Sequence, residues 1–224
     1  MPKIKHVFFD LDHTLWDFEK NSALSFQSIF KTHPMPFSVD EFLEKYVPIN
    51  LKYWKKYRLN EITKEELRYQ RLKEAFDSVK YSATDDLINE VAELYIVKLA
   101  EQKHLFEDSL AVLNYLKPKY KLHIITNGFE EVQYKKMYNS GISNYFLTTT
   151  TSEDVMLKKP HPKVFLHALE KANATAAESI MIGDNLEADI FGALDVGMDA
   201  IYFGNNTTFV GKRVEQLIDL KKYL

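Results

Sequence analysis

Two aspartates stand one residue apart in Phe9-Asp10-Leu11-Asp12-His13-Thr14, directly after the apolar run Val7-Phe8-Phe9. Residues i and i+2 of an extended chain point the same way, so a strand ending here would bring both carboxylates to one small volume. Like charges that close repel each other unless a cation or a shared proton comes between them. Alone, the pair reads as a solvated turn. Two other apolar runs lead into polar groups that complement it. Leu122-His123-Ile124-Ile125 runs into Thr126-Asn127-Gly128, and Ile180-Met181-Ile182 runs into Gly183-Asp184-Asn185-Leu186-Glu187-Ala188-Asp189. Between them, Lys158-Lys159-Pro160-His161-Pro162 precedes a helical stretch. Carboxylates offer nucleophilic and acid–base chemistry, a hydroxyl donates hydrogen bonds, and an ammonium balances negative charge. Each residue also has a plain reading: Thr126 as a helix cap, Lys159 as a solvated lysine, Asp184 as a turn residue beside Gly183. All of them being accidental at once is much harder to accept.

The elements that must position these groups follow from periodicity. Val7–Phe9, Leu122–Ile125, Tyr145-Phe146-Leu147, Ile180–Ile182 and Ala200–Phe203 are short and mostly apolar, with segments of helical length between them. Strands covered on both faces lose the alternation of a half-exposed sheet. The alternation of strand and helix predicts an α/β fold with a doubly wound parallel sheet. In such a sheet the carboxyl ends of the strands open onto one crevice, where Asp10, Asp12, Thr126, Asp184 and Lys159 can meet. Residues 17–100 instead look helical nearly throughout. Ser38-Val39-Asp40-Glu41 and Thr63-Lys64-Glu65-Glu66 fit capping boxes. Phe42, Tyr46, Ile49 and Tyr53 recur on one helical face, with Pro48 expected to kink or break that helix. Leu72, Phe76 and Val79 form a second stripe, and Leu87, Val91, Leu94 and Tyr95 a third. Linkers are expected near Trp16-Asp17 and Lys103-His104, which gives a core of 1–15 with 104–224 and a helical insert of 16–103. Val214, Leu217, Ile218 and Leu224 read as a last helix packed on the core.

Composition narrows the class. The 224 residues carry 29 Lys+Arg against 32 Asp+Glu, a net charge of −3, with 46 % hydrophobic and 13 % aromatic residues. That is an ordinary globular balance, far from a disordered chain and without the basic excess of a nucleic-acid binder. No apolar run approaches the roughly 20 residues of a membrane helix. The opening Met1-Pro2-Lys3-Ile4-Lys5-His6 lacks the pattern of a signal peptide. Cysteine is absent, which excludes disulfides, thiolate metal sites and cysteine nucleophiles, and a cytoplasmic location is the default expectation.

The set Asp10-x-Asp12-x-Thr14, Thr126-Asn127-Gly128, Lys159-Pro160 and Gly183-Asp184-x-x-x-x-Asp189 resembles, in order, the four motifs of the haloacid dehalogenase superfamily of phosphotransferases. The resemblance extends to about residue 210. It implies a Rossmann-like core, and the insert resembles a helical cap of the type 1 subfamily. The stretch from Phe9 to Phe18, and Thr126-Asn127-Gly128-Phe129 followed by Gln133, look like the branch of phosphatases acting on pyrimidine nucleoside 5′-monophosphates. By resemblance, Asp10 attacks phosphorus and Asp12 protonates the leaving oxygen, then takes a proton from the hydrolytic water. Asp10, Asp184 and a phosphate dianion cannot share a pocket without a cation, and oxygen donors without cysteine favour Mg²⁺. The resemblance implies as its ligands the Asp10 side chain, the Asp12 backbone carbonyl and the Asp184 side chain, with Asn185 or Asp189 assisting through water or by orienting neighbours. Lys159, the Thr126 hydroxyl and the Asn127 backbone amide would hold the phosphoryl oxygens.

Asp12 separates this chain from the dehalogenases that name the superfamily, because a halide leaves without protonation. The membrane-pump branch carries threonine at that position and needs membrane segments. An imine-forming cap lysine, as in phosphonoacetaldehyde hydrolase, has candidates in Lys52, Lys55, Lys56 and Lys64 but no supporting motif. The absence of a Walker-type glycine loop disfavours an ATP-dependent kinase. The expected substrate is a small phosphomonoester, first a nucleoside 5′-monophosphate with pyrimidines preferred. The alternative is a phosphatase or phosphomutase of small sugar or organic acid phosphates such as phosphoglycolate, and a third reading is a binding protein without turnover. Trp16 and Phe18, just past the nucleophile loop, are candidate contacts to a substrate base, with hinge packing as the plain alternative. Monomer and homodimer both remain open.

Overall fold

The computed structural model describes residues 3–224, so the first two residues of the expected core segment lie outside it. It divides into two compact units. One takes the described residues up to Phe18 together with Lys103–Leu224, and the other is Glu19–Gln102.

The first unit is built on six strands: β1 (His6–Phe9), β2 (Lys121–Thr126), β3 (Phe146–Thr151), β4 (Ser179–Gly183), β5 (Asp199–Phe203) and β6 (Arg213–Val214). Their order is β3-β2-β1-β4-β5-β6, and every pairing is parallel. This is the doubly wound arrangement that the alternation predicts. Its winding reverses beside β1, which is flanked by β2 and β4 and has all four residues buried. The crossovers carry α5 (Ser109–Leu116), α6 (Glu130–Asn139), the short α7 (Ser152–Val155), α8 (Pro162–Lys171) and the turn α9 (Gly192–Asp195).

Two readings of this unit need correction. The third strand starts one residue later than the apolar run suggested, because Tyr145 closes a 3₁₀ turn over Ser143–Tyr145. It then continues through Thr148–Thr151, polar residues whose β-branching suits a strand. The predicted last helix is not an α-helix. Val214 belongs to β6, and Leu217–Lys222 is 3₁₀. The residues this turn buries are Leu217 and Leu220, a spacing of three that matches the tighter helix, while Val214 is buried within β6.

The second unit, with α1 beginning at the end of the first, holds α1 (Phe18–Thr32), α2 (Val39–Arg58), α3 (Lys64–Ser78) and α4 (Asp85–Glu101). Ser38 with Glu41 and Thr63 with Glu66 form the two capping boxes. Pro48 neither breaks nor ends α2, which runs from Val39 to Arg58 around it. Proline removes one N–H and crowds the carbonyl four residues back. Pro48 and Glu44 both lie on the exposed side, so water can satisfy that carbonyl while Phe42, Tyr46, Ile49 and Tyr53 bury the other face. In α4 the buried face is Ile88, Val91, Ala92, Tyr95 and Leu99, rotated from the expected stripe, and Leu87 and Leu94 are half-buried. Phe26 is central, with ring centroids 4.9 Å from Phe42, 4.6 Å from Tyr46 and 4.5 Å from Tyr95.

One buried polar pair in the sheet gives a stability prediction. His123 in β2 stacks on Phe8, its Nδ1 lies 2.8 Å from the Thr148 hydroxyl, and its Nε2 lies 3.1 Å from His6 Nδ1. Burial, with His6 and Lys121 adding to it, pulls its pKa from the ordinary 6.5 to about 4. The folded state therefore keeps His123 neutral where the unfolded chain takes up a proton. Stability should rise with pH across the window from about 4 to 6.5, and fall on acidification through it. Between pH 7 and pH 5 the loss should reach up to about 2 kcal/mol, and a His123→Gln variant should show a flatter slope in urea unfolding.

Candidate active site

The site lies at the carboxyl ends of β1, β2 and β4, where the winding of the sheet reverses. Asp10 follows β1 directly and stays in register with β4, its N–H donating to the Ile182 carbonyl at 2.9 Å. Thr126 ends β2 and Asp184 follows β4. The pairing of three parallel strands therefore brings together residues 174 positions apart in the chain (184 − 10).

Carboxylate oxygens of Asp10, Asp184 and Asp189 all lie within 4.8 Å of one another. Asp189 reaches the cluster because Leu186–Phe191 forms a π-helical turn, a widened geometry that often marks functional sites. The Asn185 side chain caps that turn, accepting from the Ala188 N–H at 2.9 Å, while the Asn185 N–H donates to Asp189 Oδ2 at 3.0 Å. Gly183 makes the approach possible, since a Cβ there would sit 2.3 Å from Asp189 Oδ2. The Thr14 hydroxyl lies 3.5 Å from Asp184 Oδ1.

Lys159 is the cation inside this cluster. It is 1 % exposed, and its ammonium lies 2.6 Å from Asp10 Oδ1, 2.7 Å from Asp189 Oδ1 and 2.7 Å from the Ile125 carbonyl. Its backbone is clamped by Asn127, whose Nδ2 donates to the Lys159 carbonyl at 3.1 Å and whose Oδ1 accepts from the Lys159 N–H at 2.8 Å. Burial alone would drive the proton off Lys159, but Asp10 and Asp189 more than offset it and hold the ammonium charged. Burial, reinforced by the charge of Asp189 and countered by Lys159, pushes the Asp10 carboxyl up to about 7. Asp184 is pushed well above the carboxylate range by burial first, then by Asp189 and Asp10. Fully ionised, three carboxylates against one ammonium would leave an excess of negative charge. The all-oxygen donors, their spacing and that excess fit a hard divalent cation held by Asp10, Asp184 and Asp189. The sequence had Asp189 in a supporting place, whereas here its carboxylate stands among the potential ligands.

Asp12 points into a second group. Lys136 lies 2.6 Å from Asp12 Oδ1, and Gln133 Nε2 donates to Asp12 Oδ2 at 2.9 Å and to the Thr126 hydroxyl oxygen at 2.7 Å. The Thr126 oxygen also accepts from the Gly128 N–H at 3.1 Å. With two bonds accepted, its own proton is left to donate elsewhere. Lys136 was not legible as a site residue. Its signal is the face of α6, where Gln133 and Lys136 are buried beside Val132 and Met137, two polar side chains where a core face should be apolar.

The two residues expected as base contacts are buried. Trp16 is 0 % and Phe18 5 % exposed. The Trp16 N–H donates to the Ser140 hydroxyl at 3.1 Å, and the Lys136 ammonium sits 4.3 Å from the Trp16 ring centroid and 5.3 Å from that of Phe18. His13 covers Phe18 at 4.9 Å. Large apolar rings gain most from burial, and these two pack as core and as cation–π partners of Lys136 rather than as open stacking platforms.

A doubly wound sheet with its carboxylates, lysine and threonine gathered at the switch point defines a hydrolase of the haloacid dehalogenase type. The sequence matches the haloacid dehalogenase-like hydrolases over residues 4–197, and the chain belongs to that family. It is 30 % identical over 193 residues to the pyrimidine 5′-nucleotidase YjjG of Escherichia coli, covering 86 % of this chain and 82 % of that protein. It is also 30 % identical over 232 residues to a glyceraldehyde 3-phosphate phosphatase of Pyrococcus furiosus, covering 100 % of this chain and 88 % of that one. Among solved structures, the putative hydrolase YfnB of Bacillus subtilis, bound to magnesium, superposes with a TM-score of 0.89 at 26 % identity, covering 100 % of this chain and 99 % of that one. The fold is therefore the Rossmann-like core of this family with an inserted helical cap. No helix among the described residues is long and apolar enough to cross a membrane.

Replacing Lys159 by methionine would leave Asp10 and Asp189 buried without their counter-charge. Stability in denaturant should fall by about 3–5 kcal/mol, the usual cost of stranding one side of a buried ion pair. Adding Asp189→Asn should recover part of that loss.

Proposed function

We propose that this enzyme, a phosphoric monoester hydrolase, releases phosphate from nucleoside 5′-monophosphates with pyrimidines preferred, through an aspartyl phosphate and with Mg²⁺. The observation that carries the reaction class is the pair of carboxylates at the end of β1, with Asp10 turned toward Lys159 and Asp12 turned toward Gln133 and Lys136. The choice of nucleotide rests on the likeness to YjjG and on the stretch from Thr126 to Gln133.

Each residue has a task that its surroundings support. An Asp10 carboxylate oxygen attacks phosphorus as the bond to the leaving oxygen breaks. Asp12 gives its proton to that leaving oxygen, then takes one from the water that cleaves the acyl phosphate and restores Asp10. Lys159 and the Thr126 hydroxyl, with the Asn127 backbone amide, balance the charge on the equatorial oxygens. Asp10, Asp184 and Asp189, with the Asp12 backbone carbonyl, would hold the cation. When bound, it supplies charge screening between the anionic nucleophile and the anionic phosphate. The magnesium named for YfnB supports that choice of ion. Lys159 reaches Asp10 and Asp189 together, so one ammonium serves both the nucleophile and the cation-binding side of the site. The partner is then a small molecule and not a nucleic acid, and a cytoplasmic setting fits a cysteine-free chain acting on nucleotides.

The second reading is a phosphatase of small sugar or organic acid phosphates, favoured by the equal identity to the glyceraldehyde 3-phosphate phosphatase. Phosphate release from UMP, dUMP, CMP, AMP, glyceraldehyde 3-phosphate and phosphoglycolate, with Mg²⁺ and with chelator, decides between them. The pyrimidine nucleotides should turn over fastest, chelator should abolish release, and Asp10→Asn should reduce it at least about 10³-fold. Faster release from the triose or glycolate ester would reverse the choice of substrate. Undiminished activity in Asp10→Asn would remove the nucleophile.

Asp184→Asn gives a check on the cation that does not depend on turnover. Mg²⁺ should raise the thermal midpoint of the wild-type enzyme, since a ligand that binds only the folded state stabilises it. The variant should show little or none of that rise in the same titration.

A further inference from the structure

The mechanism above leaves two buried polar side chains of α6 without a task. Lys136 is 2 % and Gln133 0 % exposed, at a depth where lysine is rare unless paired. Each takes one oxygen of the same carboxylate, Lys136 holding Oδ1 of Asp12 at 2.6 Å and Gln133 holding Oδ2 at 2.9 Å. Both donors come from a single rigid helix, three residues apart, so they share one face. The pair is itself braced. The Lys136 ammonium lies over Trp16 and Phe18, and the Trp16 N–H is tied to the Ser140 hydroxyl, which donates to the Lys136 carbonyl at 2.6 Å. Gln133 Nε2 also reaches the Thr126 hydroxyl, and Gln133 Oε1 is buried with no hydrogen-bond partner. An apolar face here would have been simpler to fold, because burying an ammonium beside an aspartate carries a desolvation cost that the ion pair only partly recovers.

We propose that Lys136 and Gln133 are the positioning residues of the acid–base aspartate. They fix the two oxygens of Asp12 in orientation and tie them, through Gln133, to Thr126, whose hydroxyl is left to donate to the phosphoryl oxygens. The proposal rests on Asp12 being the proton donor to the leaving oxygen. Proton transfer falls off steeply with misplacement, so a donor loose on its strand end would be a poor acid even with its chemistry intact. Neither residue gives or takes a proton in this scheme; both act through Asp12, whose oxygens they hold. Trp16 and Phe18, which the sequence suggested for a substrate base, act in this arrangement as the floor under Lys136.

The test uses leaving groups that need the proton to different extents. An alkoxide leaving from UMP needs it, whereas p-nitrophenolate leaves from p-nitrophenyl phosphate largely without it. Lys136→Met should lower kcat/KM for UMP by about 10²-fold and kcat/KM for p-nitrophenyl phosphate by less than about 5-fold, because kcat/KM reads the phosphorylation of Asp10 and not the hydrolysis step that both substrates share. The ratio of the two rates is taken on one protein sample, so a partly unfolded variant lowers both rates and leaves it unchanged. Lys136→Arg should restore most of the ratio. Asp12→Asn should distort it at least as much, and the double variant with Lys136→Met should add little, because the two act as one unit. Equal losses on both substrates in Lys136→Met, while Asp12→Asn still discriminates between them, would overturn the positioning role and leave the acid in place. Equal losses in Asp12→Asn would overturn the acid, and the positioning role with it.

Discussion

The site depends on crowding acid around a single buried ammonium. Asp10, Asp184 and Asp189 bring their oxygens within 4.8 Å of one another at the end of a parallel sheet, and Lys159 reaches both Asp10 and Asp189. Carboxylates this close and this buried resist ionising together, so Asp10 and Asp184 are pushed upward while Lys159 is held charged. Such a cluster is poorly satisfied by protein alone and well suited to a cation and a phosphate. Much around it follows from that need. Gly183 is without a side chain where Asp189 must pass, the π-helical turn swings Asp189 inward, and Asn127 clamps the backbone of the lysine.

Asp12 is kept in different surroundings. It stands two residues from Asp10 but is bound by Lys136 and Gln133 rather than by Lys159. Two chemically identical side chains thus get separate partners, an arrangement that suits the proposed division into nucleophile and proton donor. Gln133 joins the two halves, since the same amide nitrogen reaches Asp12 and Thr126. The helical unit is held by other means, an aromatic cluster around Phe26 and a buried Arg71 that donates to Asn50 at 2.9 Å and lies over the Tyr95 ring. The alternating texture of the core and the amphipathic texture of the insert are thus two distinct ways of burying apolar surface.

Much of this is legible in the sequence. Short buried strands leave continuous apolar runs, and β1, β2, β4 and β5 fall on them. Capping boxes are local, so Ser38 and Thr63 could be read directly. Misreadings came where a local rule met a tertiary one. Pro48 is carried within α2 because its open side faces water, and the C-terminal apolar residues divide between β6, which takes Val214, and a 3₁₀ turn, which takes Leu217 and Leu220. The threonine-rich end of β3 had no apolar signal to announce it.

The sequence by itself determined the doubly wound core, the helical insert and the identities of Asp10, Asp12, Thr126, Lys159 and Asp184 as candidates, because strand ends and their polar punctuation are written in consecutive residues. Only the tertiary structure decided who pairs with whom. Lys136 faces Asp12 across 124 positions of chain, and Lys159 faces Asp10 across 149. It also placed Asp189 among the acids and sealed Trp16 beneath Lys136. Such contacts arise from the packing of a helix and a loop against the strand ends, and no local pattern encodes the distance between groups that far apart in the chain.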